Sequence, residues 1–172
     1  MSDVITKSAP VRELSYPDLD AFIADVEAVR ASHEARTLTH TGNWTAGQCL
    51  WHLAVFMKGS MDGFPTQKPP LLLRVLGRLV FKRIALSGAP AKPGIRLPTS
   101  VAWLDPVAMG VSSFEEGYEP IKSIIDRYRA GERFTHDSPI FGPLTHEEWC
   151  TLHCGHNAMH MSFQHPGGRA GA

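Results

Sequence analysis

The sequence predicts an all-α fold, a four-helix bundle with a long, helix-bearing connection between its second and third helices. Four stretches place apolar residues at the helical period of 3.6. Two of them begin at capping boxes, Thr45-Ala-Gly-Gln48 and Thr145-His-Glu-Glu148. About fifty proline-rich residues then separate the second stretch from the third, far more than a tight helix hairpin needs. The 172 residues, 43% apolar and 20% charged, suffice for one domain with a hydrophobic core. That domain is expected over residues 1–165, with 166–172 as a loose tail.

Each element follows from local signals. Ser15, with Pro17 just after it, opens a run in which Leu19, Phe22, Ile23, Val26 and Val29 keep the period, giving a first helix over about 16–33. A polar connection through His33, His40 and Asn43 leads to the Thr45 box and a second helix over 46–62. Inside the long connection, Leu71 to Leu86 is an amphipathic candidate, with Arg74, Arg78 and Lys82 beside Leu72, Val75, Leu76, Leu79 and Val80. It is read as a helix packed on the bundle with its basic edge solvated; a membrane-surface helix or a partner-groove helix is the sharper alternative. Ser112 and Ser113 offer a cap for a third helix, periodic through Phe114, Tyr118, Ile121, Ile125 and Tyr128, kinked at Pro120 and stopped by Gly131. The fourth starts at the Thr145 box and ends before Pro166.

Composition excludes several classes of function. Lys plus Arg equals Asp plus Glu, 17 against 17, so the chain lacks the cationic field that nucleic-acid binding requires. No stretch reads as a membrane span, and Met1 to Lys7 lacks the order of a secretory signal, so no membrane partner and a cytoplasmic location are expected. Three cysteines, Cys49, Cys150 and Cys154, are odd in number, and the last two share a helix whose geometry strains a bridge; all are expected reduced.

The chemistry concentrates in histidines. His153, His156 and His160 fall within about 60° of one another on the fourth helix, with Cys154 nearly opposite and Cys150 about 120° off. His52 sits alone in the apolar run Cys49 to Met57. A lone histidine there is ordinarily a core residue bonded to a carbonyl, but facing helices bring it to the fourth helix's set. The i,i+4 pair His156 and His160 is preferred as ligands with His52, because His153 and His160 stand about 10 Å apart along the axis. His153 is then a pocket residue, a donor to a ligand, a general base near a bound substrate, or a filler of the core. Cys49 is the one thiol placed near the site. Three neutral imidazoles leave coordination positions open and suit zinc, nickel, copper or iron rather than magnesium or calcium, with zinc the default.

His52 in the second helix, the long second connection and His156-x-x-x-His160 in the fourth resemble the DinB-like superfamily, which includes the YfiT type. The likeness is closer to a branch of it without an agreed reaction, in the run Gly42 to Ala54, the Asp62-Gly-Phe-Pro65 turn, and Phe141 to Trp149 continuing to His160. It covers most of residues 15–165. The resemblance implies a four-helix bundle of up-down-down-up topology, a divalent metal on His52, His156 and His160, and relatives that use low-molecular-weight thiols or that dimerise. His153 lies outside that ligand pattern. Three functions are open on this basis: a metal-dependent transferase or hydrolase acting on a small electrophile, a non-catalytic metal- or ligand-binding bundle, and an interaction module using the 71–86 helix.

Overall fold

Asp18, rather than Ser15, caps the first helix: its Oδ1 accepts from the Ala21 N–H at 2.8 Å, and α1 runs Leu19–Glu34. The start is displaced because the segment before it is pulled onto the helix flank, where Tyr16 donates to Asp25 at 2.6 Å and Arg12 pairs with the same carboxylate at 2.8 Å. In this computed structural model residues 8–65, 71–91 and 99–168 are described, and they are mainly helical. The other helices are α2 (Ala46–Asp62), α3 (Leu71–Leu76), a π-helical turn (Gly77–Phe81) that continues into α4 (Lys82–Ala85), a 3-10 turn (Thr99–Leu104), α5 (Glu115–Arg129) and α6 (His146–Met161).

Both expected capping boxes form, Thr45 with Gln48 at the head of α2 and Thr145 with Glu148 at the head of α6. A third reciprocal pair opens α5: the Glu116 carboxylate accepts from the Ser112 and Ser113 amides while Ser113 Oγ accepts from the Glu116 N–H. The helix is continuous through Pro120.

The last helix ends earlier than the sequence implied, at Met161. Beyond it β2 (Gln164–His165) pairs antiparallel with β1 (Thr39–His40), Thr39 opposite His165 and His40 opposite Gln164. Gly167 N–H then donates to Ser32 Oγ at 2.9 Å, so the start of the expected tail is tied to α1. Residues 169–172 lie outside the described residues.

The backbones of α2 and α5 approach closely at two glycines. A Cβ on Gly117 would lie 1.8 Å from the Gly47 carbonyl oxygen, and one on Gly47 would lie 2.1 Å from the Ser113 carbonyl oxygen. At the other ends of the same helices Arg127 pairs with Asp62, so α2 and α5 run in the same direction. Two parallel neighbours in sequence order require a long connection between them, and the residues between α2 and α5 supply it. Against α2, α6 runs oppositely: Ser60 meets His153, Met57 meets Asn157 and His52 meets His156. The end of α1 meets the start of α5, with Arg30 donating to the Tyr118 hydroxyl at 2.9 Å and His33 stacked on Phe114.

Trp149, Phe22, Phe134, Leu50, Leu53 and Ile121 fill the space between these helices and are fully buried. Each such side chain contributes about 1.5–3 kcal/mol relative to exposure. The 71–86 segment departs from its expected packing. Gly77, buried against Ile140, is its point of close contact, and Lys82 reaches Glu148 at 3.1 Å, but Leu71, Val75, Leu79 and Ile84 face outward. Only a residue without a side chain fits against Ile140, so the arm comes close to the body there while Leu71, Leu79 and Ile84 stay uncovered. Among the described residues no helix is long and apolar enough to cross a membrane.

Gly117→Ala is expected to lower stability by about 3 kcal/mol in urea denaturation, because backbone rather than a movable side-chain tip stands in the way. A loss under about 1 kcal/mol would mean that α2 and α5 part at little cost.

Candidate metal centre

In α2 the side chains around His52 are apolar, and burial leaves its ring 3% exposed. A neutral imidazole needs one acceptor for its N–H, and the 3-10 turn provides it: His52 Nδ1 lies 2.7 Å from the Leu104 carbonyl oxygen. A carbonyl only accepts, so the proton is assigned to Nδ1 and the Nε2 lone pair is left free. That lone pair points at α6, where His156 Nε2 lies 3.4 Å away.

One ligand nitrogen from each of His52, His156 and His160 lies within 4.8 Å of the others, and among the described residues no Asp, Glu or Cys joins the group. Nitrogens bound tetrahedrally at 2.0–2.1 Å stand about 3.3 Å apart, close to the His52–His156 separation. Two aromatic rings wall the cluster. Trp44 lies parallel to His160, 5.3 Å between centroids and 11° between planes, and 4.9 Å from His52. Phe56 stands 4.7 Å from His156. On the other side of that ring, His156 Nδ1 is buried without a hydrogen-bond partner.

The electrostatics favour neutral rings. Burial is the largest effect on all three, lowering their pKa values below the ordinary histidine value, and His156 and His160 are each lowered further by the neighbouring imidazoles. For His52 the Leu104 carbonyl and Asp105 act in the opposite direction without prevailing. Neutral imidazole is the ligating form, so the cluster is poised to accept a cation at neutral pH.

The sequence-derived assignments divide accordingly. His52, His156 and His160 come together, whereas His153, one turn earlier on α6, is enclosed. It is 0% exposed and stacked on Trp149, with Nε2 2.9 Å from Ser60 Oγ. The Ser60 hydroxyl donates to the Met57 carbonyl at 2.6 Å, so it accepts from His153 Nε2–H. Burial depresses the His153 pKa to about 3. Of the roles open to this residue, core filler matches its surroundings. The cysteines are free thiols. Cys49, expected near the site, belongs to the core on the side of Asp25; burial chiefly, with Asp25, pushes its thiol up to about 12. Cys150 and Cys154 are likewise raised by burial.

Three contributors escaped the sequence reading. Trp44 precedes the Thr45 cap in a polar loop and carries no periodic signal, although it stands in the block that resembles the DinB-like branch. Phe56, one turn after His52, reads as ordinary core. The Leu104 carbonyl is a backbone atom 52 positions from its partner, and no residue type announces it. A separate groove of about 210 Å³ opens between the starts of α2 and α5, rimmed by His33, His40 and Phe114. The helix-start amides beside it are already taken by Thr45 and Glu116, which leaves little for an anion.

A family model described as a protein of unknown function, DUF1569, matches residues 8–167, a span that includes all three clustered histidines and the Leu104 carbonyl. The chain belongs to the DUF1569 family. No curated protein and no solved structure matches it. For this DUF1569 chain the buried neutral histidines set a pH response. The unfolded chain binds a proton at His153 below about pH 6.5, whereas the folded protein does so only near pH 3, so stability is complete above the upper value and falls on acidification. From this group alone the metal-free protein is expected to lose about 1.4 kcal/mol per pH unit below 6.5. Urea denaturation between pH 7.5 and 4.5 checks it: His153→Gln should flatten the slope, and an unchanged slope would show that this ring does not resist protonation.

Proposed function

We propose that the chain is a divalent-metal-binding protein of the DinB-like type, with one transition-metal ion on His52, His156 and His160, acting as a metal-dependent transferase or hydrolase on a small electrophile. Zinc is the default ion, with nickel or iron as alternatives. The observation that carries this reading is the convergence of the three ligand nitrogens within 4.8 Å, with the His52 lone pair held toward the cluster by the Leu104 carbonyl. The helix directions support the resemblance as well: α2 parallel to α5 with α6 opposed is what an up-down-down-up four-helix bundle requires.

The residues divide the work. His52, His156 and His160 are donors of nitrogen only, and among the described residues no Asp, Glu or Cys joins them. A divalent ion held by three neutral imidazoles acts as a Lewis acid and lowers the pKa of a bound thiol or water toward neutrality. Trp44 fixes the plane of His160 by stacking and, with Phe56, lines the cluster with apolar surface that sheds water and suits the carbon skeleton of a small substrate. The lack of a carboxylate in this group, among the described residues, supports a nucleophile activated by the ion over one activated by a protein carboxylate. A low-molecular-weight thiol such as glutathione, bacillithiol or mycothiol fits that requirement. The near-complete burial of His52 also supports a second reading, in which the ion is structural and the protein only stores or senses a ligand.

Elemental analysis of the purified protein is expected to find about one ion per chain, lost in His52→Ala, in His156→Ala and in His160→Ala. Stoichiometry unchanged in all three variants would reject the site. Zinc at about a hundredfold over its dissociation constant should stabilise the metal-free protein by about 2.7 kcal/mol, an increment absent from His160→Ala. Saturable turnover of an electrophile panel with the thiols above, abolished by chelation and restored by metal, supports catalysis; metal binding without turnover supports the structural reading.

A further inference from the structure

We infer that the arm made of α3, the π-helical turn and α4 docks on an anionic phospholipid surface. This surface is separate from the histidine cluster, and its assignment does not rest on a metal.

The arm is exposed in a way that water does not reward. Leu71 is 71% exposed, Leu79 74% and Ile84 65%, and Val75, Val80 and Phe81 are each a little under half exposed, all within fifteen consecutive positions. Single exposed apolar residues are ordinary on a protein surface; a contiguous set marks a covered face. Gly77 against Ile140, Arg78 beside Gly142, Lys82 to Glu148 and Ala85 against the core hold one side of the arm on the body and leave its other side uncovered.

Charge chooses the cover. From Gly63 to Leu104 the chain carries seven of its 17 Lys and Arg residues and none of its 17 Asp and Glu residues, so a protein of zero formal charge has one strongly cationic segment and an acidic remainder. Arg78 and Arg83 are exposed and have no ion-pair partner among the described residues. An anionic surface satisfies them, and a bilayer satisfies the aliphatic residues at the same time. The apolar positions are spread round more of the helix than one stripe. A rigid partner groove covers a stripe, whereas acyl chains conform to a broad sector and long arginine side chains reach back to the phosphates. A second copy of the chain, with its acidic remainder, is the competing occupant.

The test is co-sedimentation of the full-length chain with vesicles of phosphatidylcholine alone or with phosphatidylglycerol at about a third of the lipid. Binding to the anionic vesicles, absent from neutral ones and weakened by salt, is expected. Leu79→Asp with Ile84→Asp should abolish it, and Arg78→Glu with Arg83→Glu should weaken it about tenfold or more. These four sites are exposed, so unchanged thermal unfolding shows that the variants remain folded. No preference for anionic vesicles, or binding that the four substitutions leave intact, would overturn the inference. So would a concentration-dependent dimer in sedimentation velocity that Leu79→Asp dissolves, which would give the arm to a second copy.

Discussion

The approach of α2 to α5 at Gly47 and Gly117 is the contact on which the remaining geometry depends. Backbone meets backbone there, so the two helices are fixed in distance and in register along their length. With one face of α2 committed to α5, its other face is free to carry His52 toward α6. Direction follows from the same contact. Because α2 and α5 are parallel, α6 can pass α2 in the opposite sense, and its later turns, those bearing His156 and His160, reach the level of His52 in the first half of α2.

Three imidazoles face one another at that level inside an apolar setting, which is a costly arrangement without a cation. A buried ring nitrogen left unpaired costs about 1–3 kcal/mol, and like charges so close forbid protonation of all three. The protein compensates at the edges. The Leu104 carbonyl satisfies one nitrogen of His52, and Trp44 covers the face of His160. Trp44 is itself held from a distance: the loop that carries it is pinned by the β1–β2 ladder and by the Thr41 amide bonded to the Phe163 carbonyl, just beyond α6. A two-residue strand pair thus sets the wall of a cluster built on helices.

Much of this was legible in the residues, and the boundary between what was and was not is physical. Periodicity and the Thr45 and Thr145 boxes located α2 and α6 because local hydrogen bonds decide where a helix starts. The 100° step along α6 placed His156 and His160 on one face, and the His52 partnership followed from opposing helices. The same step could not tell His153 from its neighbours. Its angular position is similar, and only the depth of Trp149, Phe134 and Ser60 around it separates a core ring from one in the cluster. Likewise Asp18 rather than Ser15 caps α1, with Tyr16 bound to Asp25, and Gln164 and His165 form a ladder with residues over a hundred positions away instead of extending the helix. Those outcomes are decided by tertiary contacts that no window of sequence contains.

The Leu104 carbonyl has one more implication. It belongs to the connection between α2 and α5, not to a helix that frames the cluster. Any ligand that prefers the His52 tautomer selected by this bond also prefers the connection in its present position, and by thermodynamic reciprocity a displaced connection weakens that ligand to the same degree. A ligand on the His52 lone pair would therefore be coupled to the position of the crossover through a single proton, the one shared between His52 Nδ1 and the Leu104 carbonyl.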